Sequence, residues 1–313
     1  MASQEKPMPF IKNLASSDRK TRTAALESLR TFLSAKHISS CLSTLDILKL
    51  WKGLFYALWM CDRPLPQQAL CQDLADLVWV LPEPAVIPWL RGFWATMARE
   101  WTTGIDVLRM EKFLLLVRRT LASSLVWMQL REPARKTARP RKRAADGQIA
   151  HSSALFDDKR VEEMLGLLAD WPFRPDEESR HEEEDDALMP KIVPVGMKLH
   201  VLDIWVDEAE KARMLEESHG PEARGGRSRK DKGEHEALSG REVLHRLGDL
   251  VETLHSATLS PAVRKRSKES LLDERLPRNR QRGDHDESGG GNGGSDDGHG
   301  GDGDDDDEWG GLD

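Results

Sequence analysis

Cysteine is scarce in this chain: Cys41, Cys61 and Cys71 are the three among 313 residues. Their number is odd, no two stand in CxxC spacing, and no histidine pair lies close by. That pattern argues against a disulfide framework or a zinc site and for reduced, mostly buried thiols in a cytosolic or nuclear compartment. Long apolar runs are also missing. The opening MASQEKPMPF lacks the apolar stretch of a secretory signal. The longest apolar candidate, residues 108–130, is broken by Arg109, Glu111, Lys112, Arg118 and Arg119, short of the ~18 uninterrupted apolar residues that mark a membrane span. No phosphate-binding glycine loop, GxSxG, HExxH or Cys/His nucleophile pairing is present. No stretch alternates apolar and polar residues, so no strand is expected.

The tail holds GGDGDD at 300–305, one calcium-binding nonapeptide core. Such cores work in tandem with an apolar residue in each, and here there is a single copy without one. The absences together predict no enzyme: no catalytic residue, cofactor, metal or small-molecule substrate, and no membrane association.

What the chain does hold is a dense apolar first half. Seven of its ten tryptophans lie in the first 127 residues. Residues 10–130 read as successive helices with short turns. Leu26, Leu29 and Leu33 share a helical face. In LKLWKGLFYALWM, Leu50, Leu54 and Leu58 form one stripe beside another of Trp51, Phe55 and Trp59, the pattern of a helix packed on two sides. Phe93, Trp94 and Trp101 lie on the next helix but one, and Phe113 on the one after. The spacing assigns all of these aromatics to a core rather than to a base-stacking platform.

Prolines 64 and 66 are expected to precede the fourth helix, and prolines 82, 84 and 88 to separate it from the fifth. Asp106 is placed to cap, and Asp106, Arg109, Glu111 and Lys112 read as a solvated charged face. Further on, Val161, Met164, Leu165 and Leu168 mark one helix, and Leu199, Leu202, Val206 and Ala209 another, where His200 reads as structural. Ser239 with Glu242 forms a capping-box pattern, and Ser260-Pro261 opens a last helix.

The fold expected is all-α, a HEAT-like helical-repeat α-solenoid with disordered charged loops and tail. Residues 1–130 form an N-terminal helical block and 131–156 a basic linker. Residues 157–276 form a C-terminal block of the same domain, with disordered loops near 174–190 and 218–236. Residues 277–313 form a disordered Gly/Asp-rich tail.

Charge is distributed unevenly. The net charge is −8, yet residues 284–313 hold twelve Asp/Glu and no Lys/Arg. The body before that tail is therefore +4, the difference between −8 and −12. DEESRHEEEDD at 176–186 is a second acidic run. Three basic runs, 131–143, 224–232 and 264–268, are candidates for salt-dependent contact with phosphates. The candidate nucleic-acid or import residues are Arg135, Lys136, Arg139, Arg141, Lys142 and Arg143, within which RPRKR looks like an import signal, and Arg264, Lys265, Arg266 and Lys268.

Four blocks carry a family likeness. LKLWKGLFYALWMCDRPLPQQAL and FWATMAREWTTGIDVLRMEKFLLLVRRTL, then PVGMKLHVLDIWVDEAEKA and LVETLHSATLSPAVRKRSKESLLDERL, occur in this order over roughly residues 8–276. They resemble the ribosomal RNA processing protein 1 family of nucleolar proteins. The charged connections look expanded relative to that family, and the tail is short and Gly/Asp-rich. The resemblance implies a nuclear, nucleolar protein of pre-ribosomal particles, needed for rRNA processing and mainly for the large subunit. It implies a non-catalytic scaffold whose partners are pre-ribosomal assembly factors and, directly or indirectly, pre-rRNA. The rival expectation is a nuclear helical-repeat adaptor unrelated to ribosomes.

Overall fold

In the computed structural model the described residues are 10–35, 42–130, 154–175, 189–216 and 237–280. Cys41, the basic run 131–143, the acidic run 176–186, the segment 218–236 and residues 281–313 lie outside them.

Several of the helices begin where a side chain satisfies one of their first free N–H groups. The short α1 (Phe10–Leu14) is followed by α2 (Arg19–Leu33), whose Asp18 cap accepts from the Thr21 N–H. Ser43 and Asp46 form a capping box on α3 (Thr44–Trp59). Next come α4 (Pro64–Ala75), which tightens into a 3-10 turn over Asp76–Trp79, and α5 (Glu83–Glu100). Asp106 caps a second 3-10 turn, Val107–Arg109, that leads into α6 (Met110–Trp127). The second half holds α7 (Asp158–Asp170), α8 (Val195–Lys211), α9 (Gly240–Ala257) and α10 (Pro261–Leu271). The Ser239/Glu242 box opens α9, and Ser260 caps α10.

The prolines depart from the expected punctuation. Pro64 is the first residue of α4, and Pro84 and Pro88 both lie inside α5. A first-turn proline loses an N–H that has no helical partner anyway. Pro88 gives up only the bond to the Pro84 carbonyl, while Val86, Trp89 and Leu90 around it are buried.

Among the described residues the fold is all-α except for one small sheet, where no strand is expected from the sequence. Leu155–Asp157 (β1) pairs antiparallel with Ala237–Ser239 (β2). Gln129, just past α6, bridges Phe156 on the other edge, with Leu130 N–H donating to the Leu155 carbonyl at 2.8 Å. Strands of three residues are too short for a two-residue period to register. β1 also takes Leu155 and Phe156 out of the stretch read as linker. Likewise, residues 277–280, read as tail, form a helical turn: Arg278 pairs with Glu252, and the Asn279 side chain donates to the Leu271 carbonyl at 2.9 Å.

The helices pack in two rows. α3 packs on α5, α5 on α7 and α7 on α9. In the other row α4 packs on α6, α6 on α8 and α8 on α10. This contact between every second helix is what stacked helix pairs produce. Consecutive helices turn back on each other, so those within a row run side by side in one direction. One buried apolar cluster runs without a break from Leu14 to Leu276. Trp51, Phe55, Phe93, Trp94, Trp101 and Phe113 are all buried in it, whereas Trp59 is half-buried at its rim. The two stripes of α3 separate as they pack. Trp51 meets Trp89 and Phe93 of α5, donating its indole N–H to the Trp89 carbonyl at 2.9 Å. Phe55 stacks on Phe113 of α6 with centroids 4.6 Å apart. No helix among the described residues is long and apolar enough to cross a membrane.

Candidate interaction surfaces

Several charged groups that could have served chemistry or recognition are used to join helices. Lys112 is not on a solvated face: it is buried. Its ammonium donates to the carbonyls of Trp59 at 2.8 Å and Cys61 at 3.2 Å, and pairs with Asp62 at 3.3 Å. It thereby caps the C-terminus of α3, where a cation is favoured by the free carbonyls. Beside it the Arg109 guanidinium lies 4.8 Å above the Trp59 ring. The sequence holds one clue to this burial. Lys112, Leu116, Thr120 and Ser124 follow each other every fourth residue, and all four are buried, so α6 packs on this mixed row as well as on its apolar stripe.

Lys198 and Glu208 of α8 are buried in the same manner. Lys198 reaches the Arg174 carbonyl at 2.5 Å, and Glu208 accepts from Arg118 at 2.5 Å and from Lys211 at 2.8 Å. His200 shares a hydrogen bond with the Leu114 carbonyl at 2.9 Å, and burial holds its pKa below the ordinary imidazole value. A neutral ring donating Nε2–H fits both facts. Burial likewise pushes the Cys71 thiol up to about 12, which leaves it without nucleophilic thiolate. No group of three or more His, Cys, Asp or Glu residues among those described could hold a metal.

The basic residues of α10 divide into two kinds. Arg264 donates to the Thr258 carbonyl at 2.6 Å, and Arg266 pairs with Asp203 of α8 at 2.7 Å. These two tie α10 down. Lys265 is exposed and pairs loosely with Glu269, at 3.9 Å, and Lys268 is exposed too. Just beyond α10, Arg275 pairs with Asp207 at 2.9 Å, Glu210 at 2.7 Å and Asp273 at 2.8 Å. Burial raises the Asp207 carboxyl, but hydrogen bonds from Arg275 and Arg118 outweigh it and leave its pKa below the usual value. The hydrogen bond from Arg275 lowers Asp273 as well. The candidate contacts Arg135, Lys136, Arg139, Arg141, Lys142 and Arg143 lie outside the described residues.

The alternation of helix direction gives the stack two different ends. The turns after α3, α5, α7 and α9 meet at one of them. Lys112 fastens the first of these turns to the start of α6, and Lys198 fastens the third to the start of α8. The start of α8 also lies against Trp101, since a Cβ on Gly196 would come within 2.9 Å of the indole nitrogen. At this end a groove of about 600 Å³ opens between α2 and the α3–α4 turn, lined among others by Arg19, Arg22, Glu27, Met60, Arg63 and Asp73. The opposite end carries the β1–β2 pair. There the chain leaves at Leu130 and Glu216 and returns at Ala154 and Ala237, so the basic runs 131–143 and 224–232 both belong to segments rooted at that end.

Comparison with known proteins follows the same extent. The family profile described as nucleolar protein Nop52 matches residues 5–309. Ribosomal RNA processing protein 1 homolog A of Mus musculus is 31% identical over 217 residues, covering 67% of this chain and 36% of that protein. Homolog B of Homo sapiens is 30% identical over 213 residues, 67% of this chain and 23% of that protein. The Drosophila melanogaster homolog is 37% identical over 113 residues, 35% of this chain and 16% of its own length. The aligned part thus spans about a third or less of these relatives. With the match running over nearly its whole length, the chain belongs to the Nop52 family of nucleolar proteins.

Proposed function

We propose that this chain takes part in rRNA processing and ribosome biogenesis as a non-catalytic scaffold of pre-ribosomal particles in the nucleolus, chiefly on the large-subunit pathway. The observation that carries this reading is the family match over residues 5–309, joined to relatives whose names record ribosomal RNA processing. The geometry supports the scaffold part of it. Lys112, Lys198, Glu208 and His200 are each engaged in joining one helix to another. A rigid helical stack offers two ends for different partners, and the basic runs at one end suit the phosphates of pre-rRNA. Lys265 and Lys268 on α10 add a second, weaker candidate contact, and assembly factors are the expected protein partners.

The test is mild affinity purification of the tagged protein from nuclear extract, with sequencing of bound RNA and mass spectrometry of bound protein. Enrichment of pre-rRNA spacer together with large-subunit assembly factors is the expected result. Recovery of transcription or transport factors without pre-rRNA would replace this reading with a nuclear adaptor unrelated to ribosomes. Purified protein that cleaves pre-rRNA alone would overturn the non-catalytic assignment.

A further inference from the structure

The second row of helices is incomplete at its start. α4 packs on α6, α6 on α8 and α8 on α10, but α2, next in that order, makes no comparable contact with α4. The five-residue α1 packs on α2 and α3 instead. The groove of about 600 Å³ occupies the gap. α2 turns Arg19, Leu26 and Glu27 toward it, and α4 turns Pro66, Leu70 and Asp73. Each set repeats at helical spacing, so one face of each helix lines the groove. Leu26, Leu70, Ala57 and Met60 make its floor apolar, and Met60 is 43% exposed. Elsewhere in the row such faces close on each other, whereas here apolar surface stays open to a partner. The groove also opens at the end of the stack where the most exposed large apolar side chains, Leu65, Val107, Leu108, Ile192 and Leu259, stand on the turns.

Charge changes sign along the groove. Where α2 and α4 start, Arg19 and Arg63 are exposed and make no ion pair among the described residues. Arg22 beside them donates to the Ser16 and Ser17 carbonyls at 2.7 and 2.8 Å, and the nearby Asp62 is taken by Lys112. Where α2 and α4 end, Glu27 and Asp73 line the groove, and Arg30 reaches Asp73 only at 3.7 Å. Burial lifts the Asp73 carboxyl above its usual pKa, and Arg30 offsets this only in part. The step from Arg19 to Glu27 spans about 12 Å of helix, or two turns. RNA does not suit this surface, since the floor is apolar and one end would repel phosphates. A second copy of this chain does not suit it either, because the described helices have already buried their apolar faces in the common cluster.

We infer that this groove takes an amphipathic helical segment of another protein, which fills the place of the missing α2–α4 contact. Two turns of the segment set apolar side chains on Leu26, Met60 and Leu70. At one end it carries Asp or Glu beside Arg19 and Arg63, and at the other Lys or Arg beside Glu27 and Asp73. A helix laid in an apolar groove is held by anchors three, four and seven residues apart. Those anchors supply most of the affinity, and the two charged ends decide which way the segment lies. The inference deepens the scaffold reading and rests on it for the idea of a protein partner.

The experiment places the photo-crosslinking residue benzoyl-phenylalanine at Ala69 and, in a second protein, at Thr23, both exposed and lining the groove. Ser28, exposed on α2 and outside the groove lining, serves as control. The full chain is expressed in cells, irradiated, and the adducts are sequenced by mass spectrometry. The expected result is adducts from Ala69 and Thr23 on a shared protein segment with apolar residues at helical spacing and charges of opposite sign about two turns apart, absent from Ser28. A synthetic peptide of that segment should then bind the purified full chain. Arg19→Glu with Arg63→Glu should weaken it at least tenfold with an unchanged melting curve. A peptide whose acids are changed to lysine should regain binding to that variant and lose it to the parent protein, which separates a charge contact from a folding defect. RNA adducts, adducts on this chain itself or on a second copy, a segment without that charge pattern, no adducts at all, the same adducts from Ser28, or failure of the charge exchange would overturn the inference. Those outcomes are independent of whether the purified particles contain pre-rRNA, so the two readings fail separately.

Discussion

The Lys112 ammonium sits 2.8 Å from the carbonyl oxygen of Trp59, a residue 53 positions earlier in the chain. It thereby holds the start of α6 against the end of α3. Replacing it by methionine keeps the stem and its packing but leaves the Trp59 and Cys61 carbonyls and Asp62 without that donor. Lys112→Met is expected to cost about 1–3 kcal/mol, the usual loss when buried acceptors go unpaired. Urea denaturation with an unchanged m-value reads this directly. An unaltered midpoint would show that water replaces the ammonium without loss.

The aromatic stripe of α3 predicts a graded response. Phe55 is buried against Phe113, so Phe55→Ala is expected to cost about 3–5 kcal/mol. Trp59 is half-buried, and Trp59→Ala should cost clearly less and remain folded. Thermal unfolding of the two variants side by side tests the ranking, and equal losses would contradict the rim position of Trp59.

Acid sensitivity should centre on Arg275. Its hydrogen bonds hold the Asp207 and Asp273 carboxyls below their ordinary pKa values. A carboxyl depressed in the folded state adds stability above its unfolded pKa, about 3.9, and that stability is lost as pH falls through the folded value. His200 acts in the same direction at higher pH. Burial lowers its pKa, so its neutral form favours folding above about 6.5, and acidification erodes that contribution. Arg275→Met is expected to lower stability at pH 7 and to flatten the decline between pH 5 and about 3. Denaturation midpoints across that range provide the check, and a slope as steep as that of the parent protein would remove Arg275 from the account.

On α10 the two kinds of basic residue should separate. If this helix touches RNA, Lys265→Gln and Lys268→Gln should each reduce the salt slope of binding by about one, with little effect on melting. Arg266→Gln should act mainly on stability, because it removes the pair with Asp203. Binding to a pre-rRNA fragment at several salt concentrations, paired with melting curves, distinguishes the two. A lysine pair that leaves the slope unchanged would clear α10 of RNA contact.

Helix existence and the inward faces were legible because apolar spacing and capping side chains are local. Asp106, Ser239 with Glu242, and Ser260 before Pro261 all cap as their sequence patterns indicate. The prolines misled, since the sequence does not say that Val86, Trp89 and Leu90 would bury strongly enough to carry α5 through Pro88. Lys112 and Lys198 were opaque for a related reason. A lysine reads as solvent-facing until a neighbouring helix ends beside it and presents free carbonyls. The three-residue strands fall below any periodic signal. The gathering of the exposed apolar turns at one end was illegible for a plainer reason. Leu65, Val107, Leu108, Ile192 and Leu259 are far apart in sequence, and only the alternating helix directions bring their turns to one end.

The interleaving of the two rows also bears on how the protein is made. The later partner of α5 is α7 and that of α6 is α8, so the face of α5 beside Arg91, which pairs with Asp170, and the face of α6 that carries Leu114 and Arg118 stay uncovered when Leu130 leaves the ribosome. They are sealed only after α8, ending at Lys211, has been synthesised, and β2 cannot meet β1 until Ser239. A chain stopped at Leu130 would present those faces to chaperones and to other nascent chains, and is expected to aggregate rather than persist as a smaller folded protein.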